Sequence, residues 1–91
     1  MIVSCKDKET ERILNRLPSR KFAAVQERSE ERLAQLDAAV SLEDLSLPSM
    51  RLKKLKGDRK GQYSIRVNDQ YRICFEWRDG IAYHVELVDY H

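Results

Sequence analysis

Histidine, cysteine, glycine and proline are all scarce in this chain, with two His, two Cys, three Gly and two Pro among 91 residues. Cys5 and Cys74 form no CxxC or Cys/His cluster. Their spacing therefore offers no zinc site and fits a reducing compartment, with both thiols as small, wholly or partly buried residues. No apolar run approaches the ~20 residues that a membrane span needs. The opening MIVSCKDKETER carries charges where a secretory leader needs its apolar stretch. These absences predict a cytoplasmic protein with no membrane partner. Neither a glycine-rich nucleotide loop nor a Ser-His-Asp pattern is present, and there is no repeat, linker or low-complexity segment. The expectation is one domain over residues 1–91, with neither a metal nor another cofactor.

What is present excludes disorder. Hydrophobic residues make up 42% of the chain and seven are aromatic (two Phe, one Trp, four Tyr), which suffices for one modest core at this size. The formal net charge is only +2, but its distribution is uneven. Residues 1–50 hold eight Lys/Arg against nine Asp/Glu, residues 51–72 eight against two, and residues 73–91 one against four. A basic window of this kind focuses potential and attracts phosphate backbones. It also suits a solvated basic hairpin.

The hydrophobic period changes once along the chain. Met1–Val3 reads as a short edge strand, and Ser4 with Asp7 three residues on reads as a helix N-cap pair. Ile13, Leu14 and Leu17 form a helical stripe that stops at Pro18. Ser19 is placed to cap a longer helix, where Phe22, Val25, Leu33, Leu36 and Val40 recur near multiples of 3.6. Glu27, Arg28, Glu30, Glu31 and Arg32 are assigned to its solvated face. Ser41 to Asp44 can cap a further short turn, and Pro48 is expected to end helical structure. Beyond it the period is two. Tyr63, Ile65 and Val67 alternate with Gln62, Ser64 and Arg66, and Tyr71, Ile73, Phe75 and Trp77 alternate with Arg72, Cys74 and Glu76. Asp79-Gly80 is a hairpin turn, while RLKKLK alternates poorly and reads as an irregular or bulged strand. Helices followed by a meander predict an α+β domain, N-terminal helices packed on a central antiparallel β-sheet. The other face of that sheet, with Arg66, Arg72 and Lys54 or Lys56, is expected to be open and basic.

The residue types for cutting RNA without a metal are at hand. The 2′-hydroxyl attack needs a base, the leaving 5′-oxygen an acid, and the phosphorane a cation. Lys56 and Arg72 supply cations, and Arg suits bidentate phosphate contact. His91 titrates near neutrality, Asp89 can orient it, and Tyr90 can stack on a base or donate a proton. His84 and His91 are seven residues apart on one predicted strand, about 23 Å, too far to act as a pair. His84 is therefore read as a surface residue. Lys53, Lys54, Arg59, Lys60 and Arg66 are candidate RNA-binding cations. Tyr63, Tyr71, Phe75 and Trp77 are assigned to the core. From the residues alone, a nuclease, an RNA- or ribosome-binding module that blocks translation by occupancy, and a scaffold docking an acidic partner all stay open.

At LKGDRKGQYSIRVNDQYRICF and at the VDYH ending the chain resembles the HigB-type killer toxins within the RelE-like superfamily. The resemblance is close over about the last forty residues. It implies a microbial-RNase-like α+β fold and an mRNA interferase, a metal-independent endonuclease that cuts codons on the ribosome. It also implies a HigA-type helix-turn-helix antitoxin, through whose complex alone the toxin meets operator DNA. On the matching positions, Lys56 and Arg72 handle phosphate charge, and Asp89, Tyr90 and His91 complete the site. Some relatives carry a histidine three residues before the LKG lysine, where this chain has Lys53; the division of acid and base roles is left open.

Overall fold

The computed structural model describes residues 1–90; His91 lies outside the described residues. Two α-helices, α1 (Lys8–Leu14) and α2 (Gln26–Ala38), precede four strands, β1 (Lys53–Lys54), β2 (Gln62–Arg66), β3 (Tyr71–Arg78) and β4 (Ile81–Asp89). The strands form one antiparallel sheet in the order β1-β2-β3-β4. The helices before it give the α+β architecture expected from the change of period.

α1 starts at Asp7, whose carboxylate accepts from the Thr10 amide at 2.7 Å. Ser4 does not cap it; its hydroxyl accepts the His84 amide of β4 at 2.8 Å. The helix also stops sooner than Pro18. Arg16 takes a left-handed φ of 59°, and the amides of Arg16 and Leu17 close back on Ile13 and Arg12, a C-terminal motif that satisfies the last carbonyls. Leu17 is left exposed.

α2 begins at Gln26, not near Ser19. The Gln26 side chain binds back to the Ser19 amide and the Leu17 carbonyl, both at 2.9 Å, so residues 20–25 form turns, including a 3₁₀ turn at Ala23–Val25. Phe22, Val25, Leu33 and Leu36 are buried as the stripe requires, but Val40 is 77% exposed. The helix ends at Ala38 and Ala39 is extended, so the helical period no longer governs residue 40. Arg32, assigned to the solvated face, is buried at 6% exposure. Asp44 holds the amides of Val40 and Ser41, starting the short turn Leu42–Leu45. Pro48 opens another turn, Pro48–Met50, where its missing N–H costs nothing.

Ile13, Leu33 and Leu36 pack against Ile65, Val67, Ile73, Phe75, Val85 and Leu87 in one core cluster. Burying each such side chain contributes ~1.5–3 kcal/mol, which outweighs the weak propensity terms of a seven-residue α1. Tyr63 stacks on Phe75, Trp77 meets Phe75 edge-on, and Phe22 meets Tyr71 edge-on, which confirms the core assignment of the aromatics. The N-terminal segment touches β4 through parallel bridges at Ile2↔Ala82 and Cys5↔Val85. β3 and β4 slip register between Cys74 and Glu76, and His84 has φ 52° on the partner strand. The Asp79-Gly80 turn has positive φ at both residues, as its sequence predicts.

Candidate RNA-binding and cleavage site

The alternation of β2 and β3 places Arg66 opposite Arg72 and Ser64 opposite Cys74, on the sheet face away from the helices. β1 adds Lys53, in register with Ser64, whereas Lys54 is in register with Tyr63. Tyr90 follows β4, its amide bonded to the Gln70 carbonyl at 2.8 Å. These elements meet in a concavity of about 370 Å³ lined by Arg51, Lys53, Arg66, Asn68, Asp69, Arg72 and Tyr90. Its volume lies within the range of small-ligand sites, and four of its seven lining residues are cations.

Arg72 is the organising residue. It is only 8% exposed, contrary to the fully open basic face expected. Its Nε donates to Ser64 Oγ at 2.8 Å, and its Nη2 donates to the Arg51 carbonyl at 2.5 Å and the Ser64 carbonyl at 3.4 Å. The guanidinium lies 5.7 Å from the Tyr90 ring centroid, within cation–π range. Burial pushes its pKa below the usual value, and Tyr90 works in the opposite direction. An arginine so held remains a cation. Every acceptor bound to Nε and Nη2 is neutral, so the charge is not cancelled where a phosphate would meet it.

Arg51, Asn68 and Asp69 also line the concavity and were not singled out by sequence reasoning. Arg51 adopts φ 44°, which turns the chain so that its carbonyl meets Arg72. A helical- or strand-period search does not register such a turn, although Arg51 opens the basic window. The Asn68 side chain accepts the amides of Gln70 and Tyr71 at 2.9 and 2.7 Å, shaping the β2–β3 connection. Asp69 pairs with Arg66.

The remaining predicted residues are spread around this centre. Lys54, Lys56 and Lys60 are exposed on β1 and the following connection, outside the lining. Asp89 is in register with Tyr71, and its carboxylate accepts from Gln70 Nε2 at 3.0 Å. His91 lies outside the described residues. Arg59 is bound to Glu86 and Gln62, each at 3.1 Å, and Lys6 also reaches Glu86. Farther along, His84 Nδ1 is 2.8 Å from Glu76 Oε2, consistent with its surface reading. The far half of the face thus sets Glu86 beside Arg59 and Lys6, while Arg51, Lys53, Arg66 and Arg72 gather at the other end, where Asp69 pairs with Arg66. Among the described residues no group of His, Cys, Asp and Glu is arranged to hold a metal ion. No helix among them is long and apolar enough to cross a membrane.

The profile of a family described as RelE-like toxin of the type II toxin–antitoxin system HigB matches residues 6–91. Toxin HigB-1 of Vibrio cholerae serotype O1 is 49% identical over 53 residues, which cover 57% of this chain and 56% of that protein. Endoribonuclease HigB of Proteus vulgaris is 38% identical over 65 residues, 71% of each chain. The match thus spans just over half the length of the Vibrio relative and more of the Proteus one. A chain of the YoeB–YefM complex from Staphylococcus aureus superposes with a TM-score of 0.56 at 20% identity, covering 100% of this chain and 95% of that one. That likeness shows the shared fold. With a match over nearly its whole length, the chain belongs to the HigB-like family of RelE-like toxins of type II toxin–antitoxin systems.

Proposed function

We propose that this chain is a metal-independent endoribonuclease that cleaves mRNA during translation on the ribosome and so arrests growth. The observation that carries the reading is the convergence of Arg51, Lys53, Arg66 and Arg72 with Tyr90 on one concavity. A single-stranded RNA segment crossing the sheet would lay its scissile phosphate against Arg72. Lys53, Arg51 and Arg66 would hold the flanking phosphates, and Tyr90 would stack on an adjacent base.

The chemistry follows from the charge. The 2′-oxygen attacks phosphorus and its proton leaves to a base; the 5′-oxygen departs and takes a proton from an acid. Between these steps the phosphorane carries extra negative charge. Arg72 is already fixed by Ser64 and Arg51, so it can stabilise that charge without reorganising. Lys56, Asp89, Tyr90 and His91 are the proposed groups for the two proton transfers, with Lys56 also a phosphate cation. Lys53, Lys54, Lys60 and Arg66 are proposed as RNA-binding cations, with Arg59, held by Glu86 and Gln62, in a lesser role. The family supports a neutralising antitoxin, which we take to be of the HigA helix-turn-helix type, with operator DNA bound only through that complex. We place the protein in the cytoplasm as one domain over residues 1–91.

The test is primer extension on an mRNA in a reconstituted translation reaction. Wild-type protein should create new 5′ ends in register with codons, only when ribosomes are present. Arg72→Lys, which keeps the charge but loses the planar fork, should lower cleavage about 100-fold while remaining folded by circular dichroism. Arrested translation on intact mRNA would instead establish inhibition by occupancy.

A further inference from the structure

Arg32 lines no part of the concavity, yet it is one of two buried arginines that grip the same pair of chain segments. Its Nε donates to the Arg66 carbonyl at 2.8 Å, and its Nη2 donates to the Ser49 carbonyl at 3.3 Å. Nη1 donates to Gln35 Oε1 at 2.9 Å on its own helix. From the other side, Arg72 binds Ser64 and the Arg51 carbonyl. The segments 49–51 and 64–66 are therefore each held twice, once from α2 and once from β3. Following the contacts closes a ring: Arg32, Ser49, Arg51, Arg72, Ser64, Arg66 and back to Arg32. Three members of that ring, Arg51, Arg66 and Arg72, line the concavity.

We infer that Arg32 is a positioning residue for the phosphate site, acting through Arg51 and Arg66; the inference rests on the nuclease reading above. Burial pushes the Arg32 pKa down, and Arg28 adds to that effect. The Arg66 and Ser49 carbonyls and Gln35 Oε1, which accept from it, are all neutral oxygens. A guanidinium can bridge α2, the end of β2 and the Pro48–Met50 turn at once, because its donors form a rigid fork. A lysine places its donors on one nitrogen and cannot span the same acceptors. Loosening the ring would let the two walls of the concavity move relative to Arg72. A displacement of about 1 Å in a positioning group can cost ~100-fold in rate.

The experiment compares wild type with Arg32→Lys and Arg32→Met. Three quantities are read: thermal unfolding, solvent exchange of the Arg72 Nε proton by NMR, and single-turnover cleavage on ribosomes over a range of toxin concentrations. In Arg32→Lys the folded state should persist and the Arg72 Nε proton should exchange faster. Its maximal cleavage rate should fall about 10–100-fold, while the half-saturating concentration changes less than about threefold, because the exposed cations remain. Wild-type rate with unchanged exchange in both variants would overturn the inference. So would a rate loss that tracks only the loss of folded protein, with Arg72 exchange unchanged. If Arg32→Met does not fold, Arg32→Lys decides. Should wild type itself fail to cleave, the nuclease reading falls, and the Arg72 exchange rate still tests the clamp.

Discussion

Cys5 shows how one residue's surroundings set its chemistry. It is partly buried where the N-terminal segment meets β4. Burial, then Glu11, then Asp7 raise its thiol pKa from 9.0 to about 11. The folded chain therefore keeps the Cys5 proton at pH values where the unfolded chain releases it. The associated stability is fully present below pH 9 and is lost as pH rises through about 11. Urea unfolding should show a steeper fall in stability across that window for wild type than for Cys5→Ala, and equal slopes would refute the assignment. At neutral pH the thiol should resist alkylation, since the thiolate is the nucleophile. The arginines at this scale were unequally legible. Arg66 and Arg72 announced themselves by strand alternation and by the basic window. Arg32 reads as solvated from sequence because a charge on an amphipathic helix usually faces water. Yet Val25, Ser29, Arg32 and Leu36 recur at steps of four, three and four, and all are buried. The helical period points Arg32 inward, but two of its neutral acceptors, the Ser49 and Arg66 carbonyls, come from distant chain segments that no local pattern reveals.

Among the elements, the strands were the most legible and the helix starts the least. Alternation in β2 and β3 depends on adjacent residues and survives in the register. Helix starts depend on which of several polar side chains captures an amide. Ser4 and Asp7 both suit an N-cap, and the contest is settled by β4, whose His84 amide takes the Ser4 hydroxyl. Asp7 is left to cap α1, and its other carboxylate oxygen accepts from Thr10 Oγ1 at 3.1 Å. That hydroxyl oxygen in turn accepts the Leu87 amide at 3.0 Å. The cap thus ties α1 to the strand that leads to Tyr90. Asp7→Ala should destabilise the protein by ~1–2 kcal/mol, read as a lower urea midpoint. Ser4→Ala should leave α1 intact and act on the β4 contact alone. A larger loss of helical circular dichroism in Ser4→Ala than in Asp7→Ala would reverse the assignment.

At the scale of the whole molecule, net charge is a poor guide and its arrangement a better one. The basic window predicted an entire basic face. Folding instead sets Glu86 beside Arg59 and Lys6, and Glu76 beside His84, so the face is divided. Acids from the C-terminal third neutralise one end, an effect of β4 pairing that linear charge counts miss. The other end keeps Arg51, Lys53, Arg66 and Arg72 around one concavity. Each phosphate neutralised on a single strand contributes ~0.7 to the slope of log affinity against log salt. Four contacts would give a slope of roughly −3, and single substitutions should distinguish the two ends. Measured on a short 2′-O-methyl RNA, which cannot be cleaved, Lys53→Ala should reduce the slope by ~0.7. Arg59→Ala should change it far less, because the Arg59 guanidinium already faces Glu86 at 3.1 Å. Arg66 is intermediate: its partner Asp69 is fully exposed, and an exposed pair is worth at most ~1 kcal/mol, so a phosphate can displace it. Equal losses of slope in Lys53→Ala and Arg59→Ala would mean that RNA crosses the whole sheet face, and the division drawn here would fail.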